Sequence, residues 1–374
     1  MFADKNTSIW DRYPESYRSK EVGQVLQVIK SGECISIIGL SGAGKSNLLG
    51  FMANRQDLFQ PCPRLALIDC NRMKEATLTA FLELLRIALA GTATAGTVDL
   101  SIGNNFVAIE QLLENLQGSM SGIGLLIDRF DALERIPEPG VVYSNLRALR
   151  DTYKYWLTLA PASRRPLDEN TELAELCYAH TLWLGPLSES DAHWTIVTYT
   201  GRLGVQWDAG IERTLLEYSW GYPSLLRAVC EAYTNGAPLE LEALRAHPAV
   251  ERRVAEFWAD RPEPQALQKS GLAGHPLLGK LAAPAKKAPV IDNAQLTAKE
   301  NLLWGYMQSH PNLVIEKDEL IQAVWPEDKI FTQGIRDDSL AQLIRRLRVK
   351  MEPNPAEPCY IHTIPGRGYR FTPG

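Results

Sequence analysis

No stretch restricts this chain more than Gly39-Leu40-Ser41-Gly42-Ala43-Gly44-Lys45-Ser46, which fits the pattern G-x-x-x-x-G-K-[S/T]. Residues 34–38 before it form a short apolar, β-prone run that predicts a buried strand. Asn47-Leu48-Leu49-Gly50-Phe51-Met52 after it opens a helical pattern. Strand, glycine-rich turn and helix together aim backbone N–H groups and a helix N-terminus at a polyphosphate. Glycine at 42 and 44 allows backbone angles and a close approach that a Cβ would block. Gly39, Ser41, Gly42, Ala43, Gly44, Lys45, Ser46 and Asn47 are therefore the expected phosphate shell. In it Lys45 reaches the β- and γ-phosphates and the Ser46 hydroxyl holds Mg²⁺.

The chain has 374 residues, enough for two or three hydrophobic cores. Val22, Val25, Leu26 and Ile29 recur at helical spacing ahead of the loop strand, and Ser31-Gly32 is the stop. Residues 64–69, 123–128, 156–160 and 180–184 read as further strands. Helices are predicted over 78–89, along Ile109, Leu112, Leu113 and Leu116, and over 141–155. This alternation predicts an α/β fold with a parallel sheet covered by helices on both faces. From Ser188-Glu189-Ser190-Asp191, which has the form of a capping box, the pattern turns wholly helical and predicts a small lid. The expected boundaries are 1–185 for the sheet core, 186–260 for the lid, 261–290 for a linker and 291–374 for a C-terminal domain. Prolines at 262, 264, 276, 284 and 289 make the linker read as semi-extended and solvated.

Asp128 closes the strand at 123–128. In a chain with a phosphate loop, a carboxylate there can hold Mg²⁺ through water, and capping of the next turn is the plain alternative. The following position carries Arg129, where many ATPases place a glutamate that orients the attacking water. Asp131 is the nearest remaining acid, either a substitute base or a polar turn residue. Slow basal hydrolysis is expected from this. Arg164 stands in the polar turn expected over 161–166, where it either senses a γ-phosphate or is a surface arginine.

The formal net charge of −5 announces no nucleic-acid or membrane partner for the chain as a whole, so any basic surface has to be local. Cysteines at 34, 62, 70, 177, 230 and 359 have neither C-x-x-C spacing nor clustered histidines, which argues against a disulfide framework or a zinc site. No apolar run reaches membrane-spanning length and the first residues lack a signal-peptide pattern, so a cytoplasmic protein is expected.

Near the C-terminus, Thr297-Ala298-Lys299-Glu300 has capping-box form, and a second helix is predicted over 317–324. A third helix over 337–351 carries Leu340, Leu343, Ile344, Leu347 and Met351 on one face. Ser339, Gln342, Arg345, Arg346 and Val349 lie opposite, with Arg348 on the flank and Lys350 beside them. A hairpin is predicted around Pro365-Gly366-Arg367-Gly368. From Phe331 onward seven Lys/Arg face four acids, a local positive excess of the kind phosphate binding needs.

The order of Gly39 to Ser46, Leu125 to Asp128, Leu182 to Asp191 and Gly221-Tyr222-Pro223 resembles P-loop NTPases of the STAND and Orc1/Cdc6-like AAA+ group. Gly221-Tyr222-Pro223 looks like the G-x-P element of STAND lids, which implies that Pro223 lies against the nucleotide. Tyr17-Arg18-Ser19-Lys20-Glu21 is similar in place to the adenine-side element of that group, and Arg129 departs from its pattern. The last eighty residues resemble the OmpR/PhoB-type winged helix-turn-helix through Leu320…Val324-Trp325-Pro326, Arg346-Leu347-Arg348 and Gly366-Arg367-Gly368-Tyr369-Arg370-Phe371. That resemblance implies a recognition helix in the major groove and a wing arginine, Arg367, at the minor groove or backbone. It implies DNA contacts from Ser339, Gln342, Arg345, Arg346, Arg348, Lys350 and Arg367. The amino-terminal β-meander usual in that family is reduced here to little beyond Val290-Ile291. Together the resemblances imply an ATP- and Mg²⁺-binding transcriptional regulator that binds double-stranded DNA and forms a nucleotide-dependent homo-oligomer. The alternatives they leave open are an Orc1/Cdc6-like replication initiator or DNA-remodelling ATPase, and a STAND-type defence sensor.

Overall fold

The chain divides into two compact units, Met1–Gly279 and Lys280–Gly374, each built from strands and helices. The computed structural model describes residues 8–92, 106–279, 296–310, 313–325, 337–352, 355, 358, 360–364 and 368–371.

In the first unit, β1 (Ser36–Ile38), β2 (Arg64–Asp69), β3 (Ile123–Asp128), β4 (Leu157–Ser163) and β5 (Thr181–Trp183) form a parallel sheet in the order β2-β3-β4-β1-β5. Alternation along each strand assigns its side chains to opposite faces. Leu126, Ala160 and Ala162 join the core formed with α1 (Ser19–Lys30) and α2 (Lys45–Asn54). Ile123, Leu125, Ile127, Leu157 and Leu159 pack on the other face with α3 (Leu78–Ala90), α4 (Phe106–Gln117) and α5 (Pro139–Thr152). A short α6 (Glu172–Cys177), which the sequence reading did not anticipate, precedes β5.

β4 is longer than expected. Pro161 removes a backbone donor, and the sequence places the end of the strand before it. It nevertheless stays extended through Ser163, because Ala162 and Ser163 remain in register with Ile37 and Ile38 of β1 and the flanking carbonyls still accept from that side. The Ile35 N–H donates to Leu159 O (3.0 Å) and the Gly39 N–H to Ser163 O (3.1 Å). The expected polar turn is therefore strand as far as Ser163, and Arg164 is the first residue beyond it.

The lid consists of α7 (Glu189–Leu203), α8 (Ala209–Ser219), α9 (Pro223–Thr234), α10 (Leu241–Arg245) and α11 (Pro248–Ala259). Only half of the expected capping box forms at α7. Ser188 Oγ accepts the Asp191 N–H (3.2 Å), but Asp191 Oδ2 accepts the Arg18 N–H (3.0 Å) rather than returning to Ser188 N. The linker expected from Arg261 is not solvated over its first half. α12 (Pro264–Lys269) follows, and Leu272, Leu277 and Leu278 are buried in the core of the unit. Here apolar side chains outweigh the proline content that read as extended. His275 seals this return, with Nε2 bonded to Ser219 O (2.9 Å) and Nδ1 accepting the Leu277 N–H (3.2 Å). Residues 280–290 lie outside the described residues, as do Val290 and Ile291.

In the second unit, α13 (Ala298–Ser309) opens on a complete capping box between Thr297 and Glu300. β6 (Val314–Glu316), α14 (Lys317–Val324), α15 (Asp337–Met351), β7 (Ile361–Ile364) and β8 (Gly368–Phe371) follow. The three strands form an antiparallel sheet in the order β6-β8-β7. Only the β7-β8 hairpin was legible beforehand. β6 is three residues long with one buried side chain, Ile315, too little for a period to show. The stripe of α15 faces inward as its spacing dictates, with Leu340, Leu343, Ile344, Leu347 and Met351 all buried. Among the described residues, three helices and a wing-like hairpin fit the winged helix-turn-helix architecture.

Candidate functional site

The glycine-rich turn leaves the C-terminal end of β1 and enters α2 at Lys45, where ligands gather in open parallel sheets. Gly42 (φ 82°) and Gly44 (φ 89°) are left-handed, which explains glycine at both. At Gly42 space also forbids a side chain, since a Cβ would stand 2.0 Å from Ser224 Oγ. Ser41, Gly42, Ala43, Gly44, Lys45, Ser46 and Asn47 line a cleft of about 420 Å³ together with Asp128, Asp131, Arg164 and Pro223. Gly39 does not line the cleft. Its carbonyl lies beneath and accepts a hydrogen bond from Lys45 Nζ. Burial brings the Lys45 ammonium down to about 8, opposed by Asp131 and reinforced by Arg164.

Asp128 is buried at the end of β3, and burial pushes its carboxyl up. Hydrogen bonds from the Ser46 side chain and the Arg129 N–H (2.9 Å) pull the other way. Ser46 and Asp128 thus offer two adjoining oxygen donors, the class that a hard divalent cation takes. The residues fit Mg²⁺, which would be held there and would neutralise phosphate charge. Arg129 is exposed and left-handed (φ 53°). Both Asp131 oxygens accept the Arg164 N–H, each at 3.1 Å, so Asp131 fixes the exit from β4 while still lining the cleft.

Several cleft residues escaped the sequence reading. Asn71 follows β2, Arg135 follows β3, and Ser224, Arg227 and Arg253 come from lid helices α9 and α11. Six Lys and Arg side chains line the cleft against two Asp, an excess suited to a polyanion. Arg227 falls one helical turn after Pro223, so an i, i+4 reading of α9 could have found it. Arg253 gave no local signal, because its place depends on how α11 packs.

The lid rests directly on the phosphate loop. The Ser224 N–H donates to Gly42 O (3.2 Å) and the Tyr222 hydroxyl to Ser41 O (2.8 Å). Beneath them the buried, left-handed Arg18 donates from Nη2 to Ala43 O (2.9 Å) and Gly185 O (3.0 Å). It ties the loop to the end of the sheet, and no pattern around Arg18 forecast this.

In the C-terminal unit, Ser339, Gln342, Arg345, Arg346 and Val349 are exposed on one face of α15. The expected residues divide between this open face and contacts within the unit. Ser339, Gln342, Arg345 and Arg346 share the open face. Arg348 instead turns to the hairpin, donating from Nε and Nη2 to Ile361 O (3.0 and 2.7 Å) and from Nη2 to Thr363 Oγ1 (2.9 Å). Lys350 pairs with the buried Glu300 at 2.6 Å, joining α15 to the start of α13. Arg367 lies outside the described residues.

Residues 292–371 match the family model described as transcriptional regulatory protein, C terminal. The transcriptional regulatory protein YvrH of Bacillus subtilis is 38% identical over 71 residues, 19% of this chain and 28% of that protein. The uncharacterized transcriptional regulatory protein YcbL of the same organism is 30% identical over 123 residues, 32% of this chain and 49% of that protein. The chain spans at most about half the length of these relatives. Among solved structures, the Walker-type ATPase PABY2304 of Pyrococcus abyssi covers 98% of this chain and 97% of its own, at 13% identity and a TM-score of 0.49. The Aeropyrum pernix Orc1 protein in complex with DNA covers 89% of this chain and 83% of its own, at 13% identity and a TM-score of 0.39. These superpositions are loose, and the cleft stands on its own geometry. Among the described residues no helix is long and apolar enough to cross a membrane.

Proposed function

We propose that this chain is a nucleotide-gated transcriptional regulator, in which ATP with Mg²⁺ occupies the cleft under the lid and α15 reads double-stranded DNA. The observation that carries the reading is one chain holding both a cation-rich cleft around Lys45, Ser46 and Asp128 and a helix whose free face presents Arg345 and Arg346. The match of residues 292–371 to regulator C-terminal segments supports the second half. Lys45 and the loop amides bind the β- and γ-phosphates, Ser46 and Asp128 hold the metal, and Pro223 lies against the nucleotide. Arg164 and Arg227 face the terminal phosphate. With Arg129 beside Asp128 and Asp131 occupied by the Arg164 amide, hydrolysis is slow and occupancy carries the signal. ATP binding draws copies of the chain together on DNA.

The test is direct. Lys45→Ala is expected to abolish ATP binding by calorimetry while basal DNA affinity persists. Arg345→Ala or Arg346→Ala is expected to cost about 1–3 kcal/mol on the preferred duplex, read by fluorescence anisotropy, if the residue contacts a base. DNA recovered with the protein, with and without ATP, should map to discrete promoter-like sites. Wild-type DNA affinity in both arginine variants would remove the regulator reading.

A further inference from the structure

Arg164 has a second partner that bears on what the cleft can recognise. Its Nη1 donates to Asp260 Oδ1 at 2.7 Å, and Arg165 Nη2 donates to the Asp260 backbone carbonyl at 2.9 Å. Asp260 is the C-cap of α11, the lid helix that also brings Arg253 to the cleft. The pair therefore bolts the tip of β4 to the lid, beside the phosphate loop.

A carboxylate at this end of a helix is poorly placed. The last carbonyls of α11 carry partial negative charge, so a further anion is disfavoured there unless a cation answers it. Asp260 is mostly buried (side chain 18% exposed), and its Oδ2 has no hydrogen-bond partner among the described residues. It depends on Arg164. Arg164 is half exposed (47%), lines the cleft, and so has somewhere else to go. Both charges are felt at Lys45, Arg164 lowering and Asp260 raising its proton affinity, so the pair shares the field of the phosphate site.

We propose that Asp260 determines whether the cleft distinguishes a nucleoside triphosphate from a diphosphate, by holding Arg164 until a terminal phosphate displaces it. This rests on the reading of the cleft as an ATP site. A diphosphate leaves the Arg164–Asp260 pair intact. A third phosphate is the stronger anion at closer range to the guanidinium, and takes it. Asp260 is then left unpaired against the carbonyl end of α11, and the corner from α11 into α12, where Arg261 is already left-handed (φ 47°), loosens from the β4 tip. Terminal phosphate is in this way converted into release of the lid's far end.

The experiment compares binding of a non-hydrolysable β,γ-imido triphosphate and of ADP, each with Mg²⁺, by calorimetry on the full chain. Asp260→Asn keeps the shape and removes the charge. It should tighten triphosphate binding about tenfold, which is about 1.4 kcal/mol, and leave ADP unchanged. Arg164→Ala should weaken the triphosphate alone, and the double variant should behave as Arg164→Ala does, since the carboxylate acts only through the arginine. Hydrogen exchange across residues 257–272 should rise with triphosphate in the wild type and already be high in Asp260→Asn. Equal changes for both nucleotides, or none, would overturn the proposal while leaving the ATP site standing. A wild-type protein that binds neither nucleotide would overturn the ATP reading and the proposal with it.

Discussion

Lys45 holds a positive charge where its surroundings disfavour one. Burial brings it down to about 8, so in the nucleotide-free protein near neutral pH the fold carries a cation it would rather deprotonate. Because the folded state binds its proton more weakly than the unfolded chain does, this cost is present below pH 8 and is relieved as pH rises toward the ordinary lysine value. Lys45→Met should therefore raise the melting temperature of the nucleotide-free protein by about 2–4 °C at pH 7, with the gain fading as pH rises through 8 and beyond. A scan at several pH values checks this, and an unchanged or lower melting temperature at pH 7 would contradict it. Single residues were the most legible level where a motif grouped them, as at Lys45, Ser46 and Asp128, which the fold brings to one cleft. They were least legible where packing alone places them. Arg18 and Arg253 come from segments far from the loop in sequence, and no local period encodes a contact across the fold.

At the scale of elements, periodicity carried most of the reading. The stripe of α15 gave its buried face, and the alternation of strands and helices gave the parallel sheet. Punctuation misled it, because proline was read as a stop. Pro161 sits inside β4, and the proline-rich run after Arg261 folds back through Leu272, Leu277 and Leu278 onto the lid. Charge on a helix was ambiguous for a different reason. Arg345 and Arg346 lie opposite the apolar stripe and Arg348 on its flank, yet spacing alone does not say that Arg348 reaches the hairpin carbonyl of Ile361. Arg348→Ala should thus destabilise the C-terminal unit by about 1.5–3 kcal/mol, the scale of hydrogen bonds to a charged group. Arg345→Ala should leave its stability within about 0.5 kcal/mol, as for surface substitutions. Thermal unfolding of the full chain, followed by a probe on the C-terminal unit, separates the two. Equal losses would mean that Arg348 is as free as its neighbours.

For the molecule as a whole, the lid lies in hydrogen-bonded contact with the loop it covers. Ser224 N–H and the Tyr222 hydroxyl both end on loop carbonyls, at Gly42 and Ser41. On the proposed reading, in which a bound nucleotide is cut slowly, the protein resets when the ligand escapes, and these two bonds hold the lid against that escape. The duration of a response is then a dissociation rate written into the lid and not a turnover number written into the cleft. Tyr222→Phe removes one of the two bonds, worth about 1 kcal/mol, and should shorten the residence time of a fluorescent ATP analogue about fivefold in stopped-flow chase, with the association rate little changed. An unaltered residence time would place the gate elsewhere. On that reading the hydroxyl of one tyrosine sets how long each copy holds its signal, apart from every residue proposed to meet phosphate or DNA.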